Sequence, residues 1–179
     1  MKISLISLLA IFIFLSLSCA KKTTVEEQPP IQMQEPAAVV ETKAKRFGLA
    51  QDFILKDLNQ NTVILSSYKN KQPVLLFFWT TWCPYCRGEL KVLNGIYPEL
   101  TKEGWEVFAI DVDEPAYRVE SFLESYGLIF KVLLDKDAAV MESYGLFGVP
   151  TYVLVDKEGY IVFKDHYFPK GEYKKLILG

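Results

Sequence analysis

Two cysteines, Cys83 and Cys86, stand two residues apart in FFWTTWCPYCRGEL, residues 77–90, directly after an apolar run and directly before a helical pattern. Three chemistries use such a pair: a metal clip, a structural staple and a redox couple. Structural zinc takes four Cys or His ligands, typically as two pairs, and the only histidine here is the distant His166. Two soft thiolates suit Cu(I) without further ligands, which leaves a copper shuttle as the non-enzymatic alternative. A staple stabilises by closing a loop of the unfolded chain, and two intervening residues close almost nothing.

The redox reading has a positive physical case. A helix starting at Pro84 places Cys83 at its N-terminus, and proline suits the first helical position because its missing N–H would have been unpaired anyway. The free amides of that turn and the helix dipole stabilise an anion, so the Cys83 thiolate is expected to form more readily than that of an ordinary cysteine. Cys86, one turn on, is expected to lie deeper. From there it can attack a mixed disulfide on Cys83 and release the reduced substrate. Cys83 is thus the expected nucleophile and Cys86 the resolving thiol, with no metal and no cofactor.

Regular elements must hold that pair. VLLFFW, residues 74–79, is apolar throughout, as befits a central strand buried on both faces. Leu90, Leu93, Tyr97 and Leu100 recur at helical spacing after the cysteines, with Pro98 expected to kink or end the helix. Before the strand, DFIL and TVIL flank the turn-rich KDLNQN as a β-hairpin, and SSYKNKQP is a short helix or turn. After it come a strand in WEVFAIDV, a helix in AYRVESFLESYG closed by Gly127, a short strand in KVLLD and a helix in AAVMESYG. TYVLVD and YIVFKD then form an antiparallel hairpin across KEG, and KGEYKKLIL a final helix. The order, hairpin then βαβα then ββα, predicts an α/β domain over residues 47–179 with a mixed sheet covered by helices on both faces. At 50% hydrophobic, 14% aromatic and a formal charge of −2, the chain is neither disordered nor a basic nucleic-acid binder.

The N-terminus has a different character. MKISLISLLAIFIFLSLSCAKK holds an apolar run from Ile3 to Leu17, short of the roughly 20 residues a membrane span needs but suited to a signal peptide over residues 1–18. The small Ser18 before Cys19 resembles a bacterial lipoprotein signal, whose cysteine becomes the lipidated N-terminus, although Ser16 stands where leucine is usual. The alternative is an uncleaved N-terminal anchor; both export and tether the domain. Residues 19–46 hold three prolines and no aromatic residue, and are expected to form a flexible tether averaging roughly 30 Å end to end. Outside the cytosol a cysteine pair can exist oxidised.

FFWTTWCPYCRGEL resembles the FWATWCxxCRxE segment of extracytoplasmic thioredoxin-like proteins of the TlpA/ResA type. The resemblance extends through the DFIL…TVILSSY hairpin and GVPTYVLVDKEGYIV to the C-terminus. It implies a thioredoxin-like fold with an N-terminal β-hairpin extension, and thiol–disulfide exchange as the activity. By the same resemblance Pro150 is the cis-proline against the cysteine pair, leaving the Val149 backbone free to pair with an extended substrate. Trp79 and Trp82 match the family's aromatics, with Trp82 expected to shield the thiolate. Glu89, three residues after Cys86, is expected to relay a proton or tune a thiol. Glu114 matches another acid near the site, and with Trp82, Pro84, Tyr85 and Val149 completes the expected substrate-facing set.

Three departures matter. Phe77 stands where cytosolic thioredoxins carry a buried Asp, which shifts proton handling to Glu89. Lys91 replaces a helix-kinking proline, and the inner Pro-Tyr resembles glutaredoxins. The resemblance further implies a monomer that reduces disulfides of exported proteins, notably cytochrome c precursors, on the periplasmic or cell-surface side, with electrons from a membrane thiol carrier and no nucleic-acid partner. A peroxidase of the peroxiredoxin type is the other enzymatic alternative: Thr80 precedes Cys83 by three residues as that motif requires, but Leu76 replaces its proline.

Overall fold

The computed structural model describes residues 45–177. The expected signal peptide, the lipidation site Cys19 and all but the last residues of the expected tether lie outside them. The chain runs β1 (Gly48–Leu49), β2 (Ile54–Asp57), β3 (Thr62–Ile64), a 3₁₀ turn (Leu65–Tyr68), β4 (Val74–Trp79), α1 (Pro84–Lys102), β5 (Glu106–Val112), α2 (Ala116–Leu123), β6 (Lys131–Asp135), α3 (Ala139–Ser143), β7 (Thr151–Val155), β8 (Tyr160–Asp165) and α4 (Tyr173–Ile177). The strands form one mixed sheet in the order β1-β8-β7-β4-β5-β6-β2-β3.

Every residue of β4 is buried, because the strand lies between parallel β5 and antiparallel β7 with helices on both faces. Leu75, Phe77 and Trp79 point into the core shared with α1, α2 and α4. Leu76 and Phe78 point into the second core, with Val140 of α3. α1 docks through Cys86, Leu90, Leu93 and Leu100, the stripe its spacing predicts. It neither stops nor breaks at Pro98, but runs on to Lys102. Thr101 Oγ1 contacts the Tyr97 and Pro98 carbonyls across that point.

The hairpin β2–β3 joins the sheet through β2 against β6, so it extends the sheet at one edge. β6 itself is a full parallel partner of β5. The two-residue β1, which pairs with β8 at the opposite edge, has no counterpart in the sequence pattern. α2 ends at Leu123, before the expected stop, and the chain turns on to Gly127, whose φ of +55° suits a residue without a Cβ. Arg46, at the end of the expected tether, already belongs to the domain. Its Nε donates to Asp156 at 2.9 Å, and its guanidinium lies 4.2 Å from the centre of the Tyr160 ring. No helix among the described residues is long and apolar enough to cross a membrane.

Register decides where chemistry can occur. Trp79 at the end of β4 pairs with Asp111 near the end of β5, and Phe78 pairs with Thr151 at the start of β7. The loop after β4, the loop after β5 and the loop before β7 therefore meet at one edge of the sheet.

Candidate active site

Cys83 caps the N-terminus of α1 and Pro84 is the first helical residue, as the sequence predicts. The cap is made by the sulfur: Cys83 Sγ accepts from the Cys86 N–H at 3.1 Å, and the first turn contains no acidic residue. A negative sulfur in this position is stabilised by that amide and by the dipole behind it. The two cysteines are joined in a disulfide with Cα atoms 5.3 Å apart. Cys86 is wholly buried, and the remaining 4% exposure belongs to Cys83. An incoming reagent thus meets Cys83 first.

The loop from Thr80 to Trp82 is fixed from beneath by Glu114. Thr81 donates to its carboxylate twice, from N–H to Oε2 at 2.5 Å and from Oγ1 to Oε1 at 2.7 Å. Glu114 is buried, with Arg118 Nη1 at 3.6 Å. It therefore faces the loop that leads to Cys83, and not the surface that a substrate would meet. Arg87, which sequence reasoning passed over, holds the same loop from the helix side, donating from Nε and Nη2 to the Thr81 carbonyl at 3.1 and 3.0 Å. Its place directly after the second cysteine was the available signal.

Asp111 was also missed. Its side chain is 1% exposed and neither oxygen has a hydrogen-bond partner among the described residues. Burial, reinforced by the nearby Glu114 charge, pushes its carboxyl up to about 9, so the group is a neutral acid at pH 7. The signal was a lone charge inside the apolar strand FAIDV.

Across the cysteine pair, the Val149–Pro150 peptide is cis, and the Val149 carbonyl oxygen lies 3.8 Å from Cys83 Sγ. Glu89 is half-buried, and its Oε2 accepts from the Tyr152 hydroxyl at 2.8 Å. Tyr152 in turn packs on Phe77, ring centres 4.6 Å apart. An aromatic pair thus fills the place of the missing buried Asp, with Glu89 at its end. Burial and Glu89 push the Tyr152 hydroxyl up, keeping it a donor. Trp82 and Tyr85 are 64% and 80% exposed and Pro84 is exposed beside them, whereas Trp79 is buried against Phe122. Phe147 and Tyr167, unremarked in the sequence, are also exposed nearby; they line recesses on either side of Val149. No three His, Cys, Asp or Glu side chains among the described residues are grouped to hold a metal ion.

A central strand that delivers a cysteine pair to a helix start, facing a cis-proline loop on a mixed sheet, defines the thioredoxin-like class. Within it, the chain belongs to the AhpC/TSA family, which residues 48–164 match. It is 41% identical over 110 residues to a protein named thiol-disulfide oxidoreductase ResA from Geobacillus thermodenitrificans, a match covering 62% of this chain and 63% of the relative. Its namesake from Bacillus thuringiensis subsp. konkukian is 36% identical over 113 residues, covering 63% and 65%. The matched segment thus spans a little under two thirds of these curated relatives. Among solved structures, the thioredoxin domain of a thiol-disulfide oxidoreductase from Bacteroides vulgatus superposes with a TM-score of 0.62 at 30% identity, over 68% of this chain and 88% of that one. StoA from Bacillus subtilis shares the fold, with a TM-score of 0.60 at 24% identity, covering 72% and 96%.

Proposed function

We propose that the protein is a membrane-tethered, extracytoplasmic thiol–disulfide oxidoreductase that reduces disulfides of exported proteins. The observation that carries this reading is the Cys83 sulfur capping α1, in contact with the Cys86 amide. The names of the relatives, thiol-disulfide oxidoreductase, agree with it.

In the proposed cycle the Cys83 thiolate attacks one sulfur of a substrate disulfide. The substrate S–S bond breaks, a Cys83–substrate bond forms, and the first substrate sulfur leaves as a thiolate that takes up a proton. Cys86 then loses its proton, with Glu89 the acceptor, and attacks Cys83. The second substrate thiolate leaves and is protonated, and the Cys83–Cys86 disulfide remains. Two electrons have passed to the substrate, and a membrane thiol carrier restores them. The substrate lies along the Val149 main chain, which takes part in no backbone–backbone hydrogen bond among the described residues, in the manner of strand addition. Trp82, Pro84 and Tyr85 flank it. Cys19 carries the lipid, and the tether up to residue 45 spans the distance from the membrane. Cytochrome c precursors are the proposed clients. The Thr80 hydroxyl, which a peroxidase would need beside its sulfur, is buried and has no hydrogen-bond partner among the described residues.

Equilibration with glutathione redox buffers tests the reading. A reversible two-electron couple is expected, nearer to thioredoxin's roughly −270 mV than to the oxidant DsbA's roughly −120 mV. A value above about −180 mV would make the protein an oxidant, and failure to exchange at all would end the proposal.

A further inference from the structure

His166 is the chain's single histidine and has no part in the cycle above. It follows β8 directly. Because Tyr152 pairs with Asp165, the next step of the antiparallel ladder sets His166 beside Thr151. Its Nδ1 lies 2.6 Å from the Pro150 carbonyl oxygen and 3.3 Å from Thr151 Oγ1. A carbonyl oxygen only accepts, so Nδ1 carries the hydrogen whether or not the ring is charged. The Thr151 hydroxyl is committed elsewhere, donating to the Gly148 carbonyl at 2.7 Å. Two side chains thus tie down the segment Gly148–Pro150, one at each end. His166 is itself held, its N–H donating to Asp165 Oδ1 at 2.6 Å.

Between those ties lies Val149, whose carbonyl oxygen is 3.8 Å from Cys83 Sγ. A peptide carbonyl without its donor can rotate its plane, and rotation at Pro150 re-aims the Val149 edge. His166 also lines, with Tyr85, Glu89, Val149, Pro150 and Tyr167, a recess beside that edge.

We propose that His166 is a positioning residue for substrate docking: its Nδ1–H holds the Pro150 carbonyl, and through it the Val149 main chain, in the orientation with which an extended disulfide-bearing peptide pairs beside Cys83. The inference rests on the oxidoreductase reading and adds a residue that acts on peptide recognition, not on sulfur chemistry. A small aromatic disulfide has no main chain to pair, so it must be indifferent to the brace.

The test compares the full chain with its His166→Phe and His166→Asn variants, using dithiothreitol as reductant. One substrate is 5,5′-dithiobis(2-nitrobenzoate); the other is an extended peptide whose cysteine carries glutathione in a mixed disulfide. His166→Phe keeps the ring's bulk and loses the donor. It is expected to raise KM for the peptide about tenfold, the effect of one hydrogen bond to a carbonyl, with kcat and the rate on the small disulfide changed less than twofold. His166→Asn places an N–H at the Nδ1 position and is expected to restore most of the peptide KM. An unchanged peptide KM in His166→Phe overturns the proposal, as does no recovery in His166→Asn or an equal loss on both substrates. Inactivity of the unsubstituted chain on both substrates would instead remove the oxidoreductase reading.

Discussion

A Cys86→Ser variant is expected to stop with its substrate bound to Cys83, and turnover to fall by roughly three orders of magnitude or more, as when one member of a catalytic unit is lost. The asymmetry of the pair is the reason. Cys83 holds what exposure the two sulfurs retain and receives the helix amide, while Cys86 is sealed beneath it. The first bond to a substrate therefore forms on Cys83, and Cys86, already within bonding reach of that sulfur, is placed to break it. Replacing Cys86 leaves the first step intact and removes the second. Replacing Cys83 with serine removes the first, so that variant is expected to trap nothing. Non-reducing electrophoresis with mass spectrometry of the adduct checks both. Adducts of equal yield through either cysteine would mean that the pair is not ordered in this way.

Asp111→Asn is expected to stabilise the protein above neutral pH and to flatten its stability profile. The unfolded chain releases the Asp111 proton near its ordinary value of 3.8, whereas the folded chain keeps it up to about 9. Between those values the folded state binds one more proton, so each rise in pH favours unfolding. The stabilisation conferred by the buried neutral acid is complete below about pH 4 and is lost as the pH climbs through 9. Glu114, Arg118 and Asp135 also act on this carboxyl, so the realised effect is a fraction of the full shift. Asparagine is neutral throughout and nearly the same shape. A gain on the order of 2–3 kcal/mol at pH 8 is expected, raising the unfolding midpoint by roughly 5–10 °C, with little difference from the unsubstituted chain at pH 4. Chemical denaturation across pH 4–9 measures it. Parallel profiles for the two chains would show that Asp111 is ionised in the fold.

Much of the site could be read in the sequence because local physics fixes it. An unbroken apolar run makes β4 central, and proline after Cys83 starts α1 where the amides are free. Alternation and turn residues mark the β2–β3 and β7–β8 hairpins. What could not be read depends on partners far away in the chain. β1 is two residues long, too short for any period, and exists because β8 offers an edge. Glu114 was expected to face substrate, but the fold turns it inward to two donors on Thr81. Glu89 was expected near the thiols on helical spacing, and its bond to Tyr152 could not be foreseen from α1 alone. His166 was weighed only as a distant zinc ligand, because its partner, the Pro150 carbonyl, is a main-chain atom that no side-chain pattern reveals. Pro98 was expected to kink or end α1; the helix does not end there but runs on to Lys102 among packed neighbours, where tertiary contacts outweigh the missing bond.

Everything in the proposed cycle requires that the first cysteine of the pair ionise easily and meet solvent before the second. Reduce the protein, expose it briefly to iodoacetamide over a range of pH, and locate the label by mass spectrometry. Labelling confined at first to Cys83, with a midpoint clearly below the 8.5 or so of a free thiol, is the result the account predicts. A midpoint at or above that value, with Cys86 labelled as fast or faster, would contradict it.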